Sequence, residues 1–152
     1  MWPLAQPSEA KIVYTRAHKH LPIHLPFYLD LYHDRINDFK FVLDWFTTSG
    51  ASIVELLAYP LRQGNGIWGQ QIFSNFGCAS ALPRGTRIGP KRPFRKSALF
   101  MFEGSAYSAT YCPWNTSGKK QAYLGLKFSV KGKVHFGWAR FVTHSRPHQP
   151  HC

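Results

Sequence analysis

Three aspartates in the stretch DLYHDRINDF (30–39) have a spacing that suits metal chemistry. Carboxylate oxygens at the first, fifth and ninth positions of a tight loop can converge on a hard cation such as Ca²⁺, which is held by oxygen ligands. Asp30, Asp34 and Asp38 are the candidate ligands and Ca²⁺ the cation they would take. Two residues depart from that pattern. Tyr32 stands where a short oxygen-bearing side chain belongs. Arg35 stands where glycine would permit the sharp turn, and it brings a positive charge near the cation. The plainer alternative is that the three carboxylates brace the turn through Asx-type hydrogen bonds and pair with Arg35. Either way the concentration needs a reason: Asp plus Glu is only 7 in the whole chain.

The opposite charge is abundant. Lys plus Arg is 19 and the formal net charge is +12, which attracts nucleic acid, anionic lipid or anionic polysaccharide. Arg84, Arg87, Lys91, Arg92, Arg95 and Lys96 lie in or just after a Pro- and Gly-rich stretch (81–94, ALPRGTRIGPKRPF). These six are the candidate polyanion-binding residues, since basic loops beside exposed aromatic rings can hold single-stranded nucleic acid. The competing view is a solvated basic surface with no dedicated partner. His144, His148, His151 and Cys152, and likewise His18, His20 and His24, carry metal-ligating atoms. They lie in Pro-containing segments that do not preorganise a site. The chain contains no GxSxG, P-loop or HExxH motif. Glu55 and Glu103 stand far apart in sequence, so no general acid/base pair is nominated and a non-enzymatic module is expected. Three cysteines leave an odd one over, and without a CxxC motif the pattern favours unpaired thiols over a Cys78–Cys112 bridge.

The elements that must position these residues read as strands. Residues 123–142 (YLGLKFSVKGKVHFGWARFV) alternate with period 2 on both sides of a turn. A three-residue loop, 130–132, would set Phe128 against Val134, Leu126 against Phe136 and Leu124 against Trp138, gathering all six on one face. A two-residue loop would put Leu126 opposite Gly137 and split the apolar set, so the three-residue loop is the expectation. Further strands are expected at 11–15, 27–31 and 39–46; residues 51–61 could be a short helix, but Pro60 and the β-branched pair Ile53 and Val54 fit a strand slightly better. Residues 71–76 read as a strand or helical turn, and 97–111 as one or two strands bent at Gly104. Residues 63–69 (QGNGIWG) read as a glycine-rich turn. The fold class is therefore all-β: an antiparallel sandwich or open barrel with at most one short helix. One domain spans 11–142, flanked by a loose tail or signal-peptide remnant (1–10) and a His/Pro-rich tail (143–152). No apolar run is long enough for a membrane helix.

The hairpin also carries a resemblance. YLGLKFSVKGKVHFGWARF is similar to a YLGLKF…GKTHYGWARL pattern found in secreted bacterial β-proteins, including ones with a PEP-CTERM-like sorting tail. KIVYT, the 30–39 loop (which also resembles FG-GAP and dockerin-like calcium loops), NGIWG and IGPKRPF match the same group in the same order, so the resemblance spans residues 9 to 142. It implies an exported or surface-associated, non-catalytic β-domain of unknown role; an anionic polymer or cell-surface component is the partner that the basic charge, rather than the resemblance, leads one to expect. The resemblance further implies a full signal peptide, of which MWPLAQPSEA is the last part, and another strand beyond Val142 in the natural reading frame.

Overall fold

Alternating apolar residues with Gly, Pro and Asn between them favour short paired strands over helices, and the chain folds that way. The computed structural model describes residues 20–105, 112–114 and 119–144. Among them there is no helix, and nine strands form: β1 (Phe27–Leu29), β2 (Phe39–Thr48), β3 (Ala51–Pro60), β4 (Gly66–Phe73), β5 (Phe76–Ala79), β6 (Phe94–Arg95), β7 (Leu99–Ser105), β8 (Lys119–Val130) and β9 (Lys133–His144). They make one mixed, unclosed sheet in the order β1-β2-β3-β7-β5-β4-β8-β9, with β6 paired to β4. The all-β expectation is borne out. Every pairing is antiparallel except β5 with β7, which meet in parallel at Cys78 and Phe100. The expected strand at 11–15 lies outside the described residues, as do the first tail, most of the second, and His18, His148, His151 and Cys152.

The inner face is set by alternation. Phe39 and Phe41 of β2, Leu56 and Ala58 of β3, Ile67 of β4, Leu99 and Met101 of β7, and Leu124 and Leu126 of β8 are all buried. Each large side chain so buried contributes about 1.5–3 kcal/mol of transfer free energy. The sheet rolls on this core until its two ends meet. Phe41 of β2 contacts Phe141 of β9 with ring centroids 5.0 Å apart, although five strands separate them in the sheet order. Trp114 caps the same cluster, edge-on to Phe141 at 6.0 Å.

Two readings of the strands are corrected. Residues 66–69 are not part of a turn but open β4, because Ile67 and Gly69 face the core while Trp68 faces out. β7 runs through Gly104, which pairs with Val54; the irregularity falls instead between Leu56 and Leu57 of the neighbouring strand.

The larger correction concerns the hairpin. Its loop has two residues, Lys131 and Gly132, with Val130 paired to Lys133. Both have positive φ, +50° and +77°, the type I′ geometry whose twist matches that of the flanking strands. Leu126 therefore pairs with Gly137, and Leu124 with Ala139. Phe136 pairs with Lys127 and Trp138 with Gly125, on the opposite face from the buried leucines. The three-residue loop was expected because it puts every apolar side chain inside. This sheet instead carries an aromatic layer on its outer face as well, so the burial argument no longer picks the register.

The cysteines are corrected too. Cys78 of β5 and Cys112 form a disulfide across a sequence separation of 34, with Cα atoms 5.3 Å apart. Both are buried. No spacing motif announces it, because residues 34 apart are brought together only by the tertiary fold.

Candidate functional site

The loop between β1 and β2 has the sharp geometry that its spacing suggests, with His33 at φ +57° and Arg35 at φ +68°. The carboxylates are engaged with the backbone. Asp30 accepts from the N–H groups of Tyr32 (3.2 Å) and Arg35 (2.8 Å). Asp34 accepts from Ile36 N–H at 2.9 Å. Asp38 accepts from Leu31 N–H at 2.9 Å. The cation that faces Asp34 and Asp38 is Arg62, not Arg35: its Nη1 lies 3.5 Å from Asp34 and 3.6 Å from Asp38. Among the described residues, no group of three His, Cys, Asp or Glu side chains is placed to hold a metal ion. Slight desolvation pushes the Asp30 carboxyl up, but the amides of Arg35, His33, Asp34 and Tyr32 outweigh it and hold the group below its ordinary value.

Asp38 differs from the other two aspartates. It is 1 % exposed, and its backbone N–H donates to Leu29 O at 2.8 Å. Its carbonyl accepts from Leu61 N–H at 3.0 Å and from Asn65 Nδ2 at 3.1 Å. Asn65, also buried, accepts from Ser129 N–H at 3.2 Å. This polar node ties the β1–β2 loop, the β3–β4 connection and the end of β8 together. The acidic loop is thus a structural junction.

The six basic candidates are exposed, and the fold connects their loop to rings that the sequence did not single out. β6 lays Phe94 beside Trp68 of β4, with ring centroids 6.2 Å apart. Arg92 stands over the Trp68 ring at 5.1 Å. Phe94 also meets Phe136 of β9 at 5.5 Å. One strand pair further along, Trp138 of β9 meets Tyr123 of β8 edge-on at 5.2 Å. Gly125, directly across from Trp138, is where Trp68 leans in: a Cβ there would lie 2.9 Å from the Trp68 Cβ. A larger residue at 125 would lift that ring. Lys127 pairs with Phe136 and Arg140 with Tyr123 on this outer face. Trp138 stays 46 % exposed, Val134 54 % and Val142 43 %. Arg84, Arg87, Lys91, Arg95 and Lys96 are also exposed, but Arg95 pairs with core-facing Ile67 and so takes the other face of β6 from Phe94. The result is a strip of rings edged by cations, able to stack flat groups and pair with negative charge.

A second arrangement comes from strand register. Asp44 of β2 pairs with Glu55 of β3, which pairs with Glu103 of β7, a row of carboxylates across neighbouring strands. Like charges directly opposite are destabilising. Burial first, then Asp44 and Glu103, raise the Glu55 pKa above its ordinary 4.5. A raised carboxyl contributes stability that is fully present below pH 4.5 and is lost as pH rises through the raised value. Glu55→Gln should therefore stabilise the protein at pH 7 by up to about 0.5 kcal/mol, small because the site is largely solvated. Thermal melts check it: the advantage of Gln at pH 7 should vanish at pH 4. Equal melting temperatures at pH 7 would show that the row carries no strain.

Which face these rings take depends on register: a three-residue loop turns Phe136 and Trp138 to the core, and the two-residue loop turns them out. The available signal was Gly at 125 and 137, which split the alternation and mark the close approach of another side chain. Among the described residues, no helix is long and apolar enough to cross a membrane. Comparison of the chain with protein-family models, with curated proteins and with solved structures found no match.

Proposed function

We propose that this chain is a non-catalytic, exported binding module that takes an extended anionic polymer along the outer face of β6, β4, β8 and β9. The observation that carries the reading is the register of the β8–β9 hairpin, which sets Phe136 and Trp138 on the same face as Trp68, Phe94 and Tyr123. Rings accept the flat faces of bases or sugars, and Arg92, Lys127 and Arg140 supply the charge. The net charge of +12 raises the local concentration of polyanions around the whole molecule. Export is supported by the Cys78–Cys112 disulfide, since such bonds persist in oxidising compartments.

Binding of fluorescent single-stranded DNA and of heparin, measured by anisotropy between 50 and 200 mM salt, tests this. With three cations engaged, single-strand affinity should fall about tenfold to twentyfold over that range. Trp138→Ala should weaken binding about tenfold at fixed salt. A flat salt dependence with both polymers, or wild-type affinity in Trp138→Ala, would sink the proposal.

A further inference from the structure

The strand that ends the sheet is also one of its longest. β9 runs from Lys133 to His144 and, among the described residues, pairs with β8 alone. All twelve of its residues are in continuous register with β8, from Lys133 opposite Val130 to His144 opposite Lys119, with no bulge. Natural edge strands are usually shortened, bulged, interrupted by proline or covered, because an open row of N–H and C=O groups recruits another strand. β9 has no proline.

The turn tells which groups are open. In a two-residue hairpin the closing pair, Val130 and Lys133, exchanges both hydrogen bonds, and bonded and non-bonded pairs then alternate. His135, Gly137, Ala139, Phe141 and Thr143 thus bond to β8. Val134, Phe136, Trp138, Arg140 and Val142 point their N–H and C=O groups to the open side. Among the described residues, none of the backbone hydrogen bonds outside the strand ladders reaches these five.

We propose that this edge is a self-association site: two copies of the chain pair β9 with β9, antiparallel about a two-fold axis, into one continuous sheet. The sequence of β9 is self-complementary in that arrangement. In the register centred on Trp138, Arg140 faces Phe136 of the second copy and Val142 faces Val134. In the register centred on Ala139, Arg140 faces Trp138 and Val142 faces Phe136. Neither places Arg140 against a cation, and both give it an aromatic ring. The other end of the sheet offers only the three residues of β1, too few for a head-to-tail contact, so the isologous pairing is the one that closes. The exposed Val134, Trp138 and Val142 would be partly covered by it.

The inference is independent of polymer binding, and the two respond oppositely to salt. Two copies at +12 each repel, so screening strengthens the dimer, whereas it weakens polyanion binding. Sedimentation equilibrium on the full chain without polymer, at 50 and 500 mM salt, should show a concentration-dependent doubling of mass that grows with salt. Hydrogen exchange at high protein concentration should slow at the amides of 134, 136, 138, 140 and 142. Val142→Pro removes one outward N–H while leaving the β8 ladder intact, and should weaken the dimer at least about tenfold. Val142→Lys keeps every backbone group and should weaken it too, which guards against a proline variant that misfolds. A monomer at all concentrations in 500 mM salt overturns the proposal. So does a monomer with those five amides already protected, which would mean the chain's own residues cover the edge. A dimer indifferent to both variants overturns it as well.

Discussion

Replacing Cys78 and Cys112 together with alanine is expected to lower stability by about 4 kcal/mol. The bond closes a loop across a sequence separation of 34, and the loss of unfolded-chain entropy from a closure of that length corresponds to about 4 kcal/mol at 25 °C. For a chain of this size that is a fall in melting temperature of roughly 8–16 °C. The consequence is local as well as global. Cys112 and Trp114 are both buried, and Trp114 covers the Phe41–Phe141 contact where the rolled sheet meets itself. Without the bond, that segment is held by Trp114 packing and by Thr143 Oγ1 donating to the Trp114 carbonyl at 3.4 Å. Thermal melts of the double variant, and of the wild type with and without reductant, measure the effect. A drop under 1 °C in both comparisons would mean that the bond contributes nothing.

Asp38→Ala is expected to cost about 2–4 kcal/mol, while Asp30→Ala and Asp34→Ala each cost under about 1 kcal/mol. The three residues look equivalent in the sequence but differ in burial. Removing the Asp38 carboxylate leaves the Leu31 N–H without its acceptor and takes from Arg62 an anionic partner that it shares with Asp34. Those groups sit at the junction with Asn65, so the loss spreads to the end of β8. Asp34 pairs with the same Arg62 from a more solvated position, and among the described residues Asp30 accepts from its own loop. Asp38→Asn should fall between, since its amide oxygen still accepts from Leu31. Urea unfolding of the four variants ranks them. Equal losses at all three aspartates would show that the loop acts as a unit, for example around a shared cation, and would refute the junction reading.

Much of the architecture was legible in the residues. Period-2 alternation with Gly and Pro between the runs specifies strands, because only an extended backbone puts alternate side chains on one face. That logic located β2, β3 and the hairpin arms, and it gave the all-β class. It also flagged the 30–39 stretch, because a spacing of four between carboxylates is local and a tight turn brings such residues near one another whatever the rest of the chain does. What the carboxylates do there was not legible, since Arg62 and Asn65 arrive from β3–β4, more than twenty residues away.

Three features belong to tertiary structure alone. The disulfide joins residues that share no motif and lie 34 apart in sequence, so only the folded chain shows the pairing. The Asp44–Glu55–Glu103 row exists only once three strands take their registers. The orientation of Phe136 and Trp138 hangs on a single residue of loop length, because the side-chain period of two turns a one-residue slip into an exchange of faces. Sequence by itself determined that this chain makes strands and that its surface is basic; it left open which rings face solvent. The rolled sheet decided that, by filling its core with Leu124, Leu126, Phe41 and Phe141 and leaving Trp68, Phe94, Phe136 and Trp138 to line the outside beside Arg92, Lys127 and Arg140.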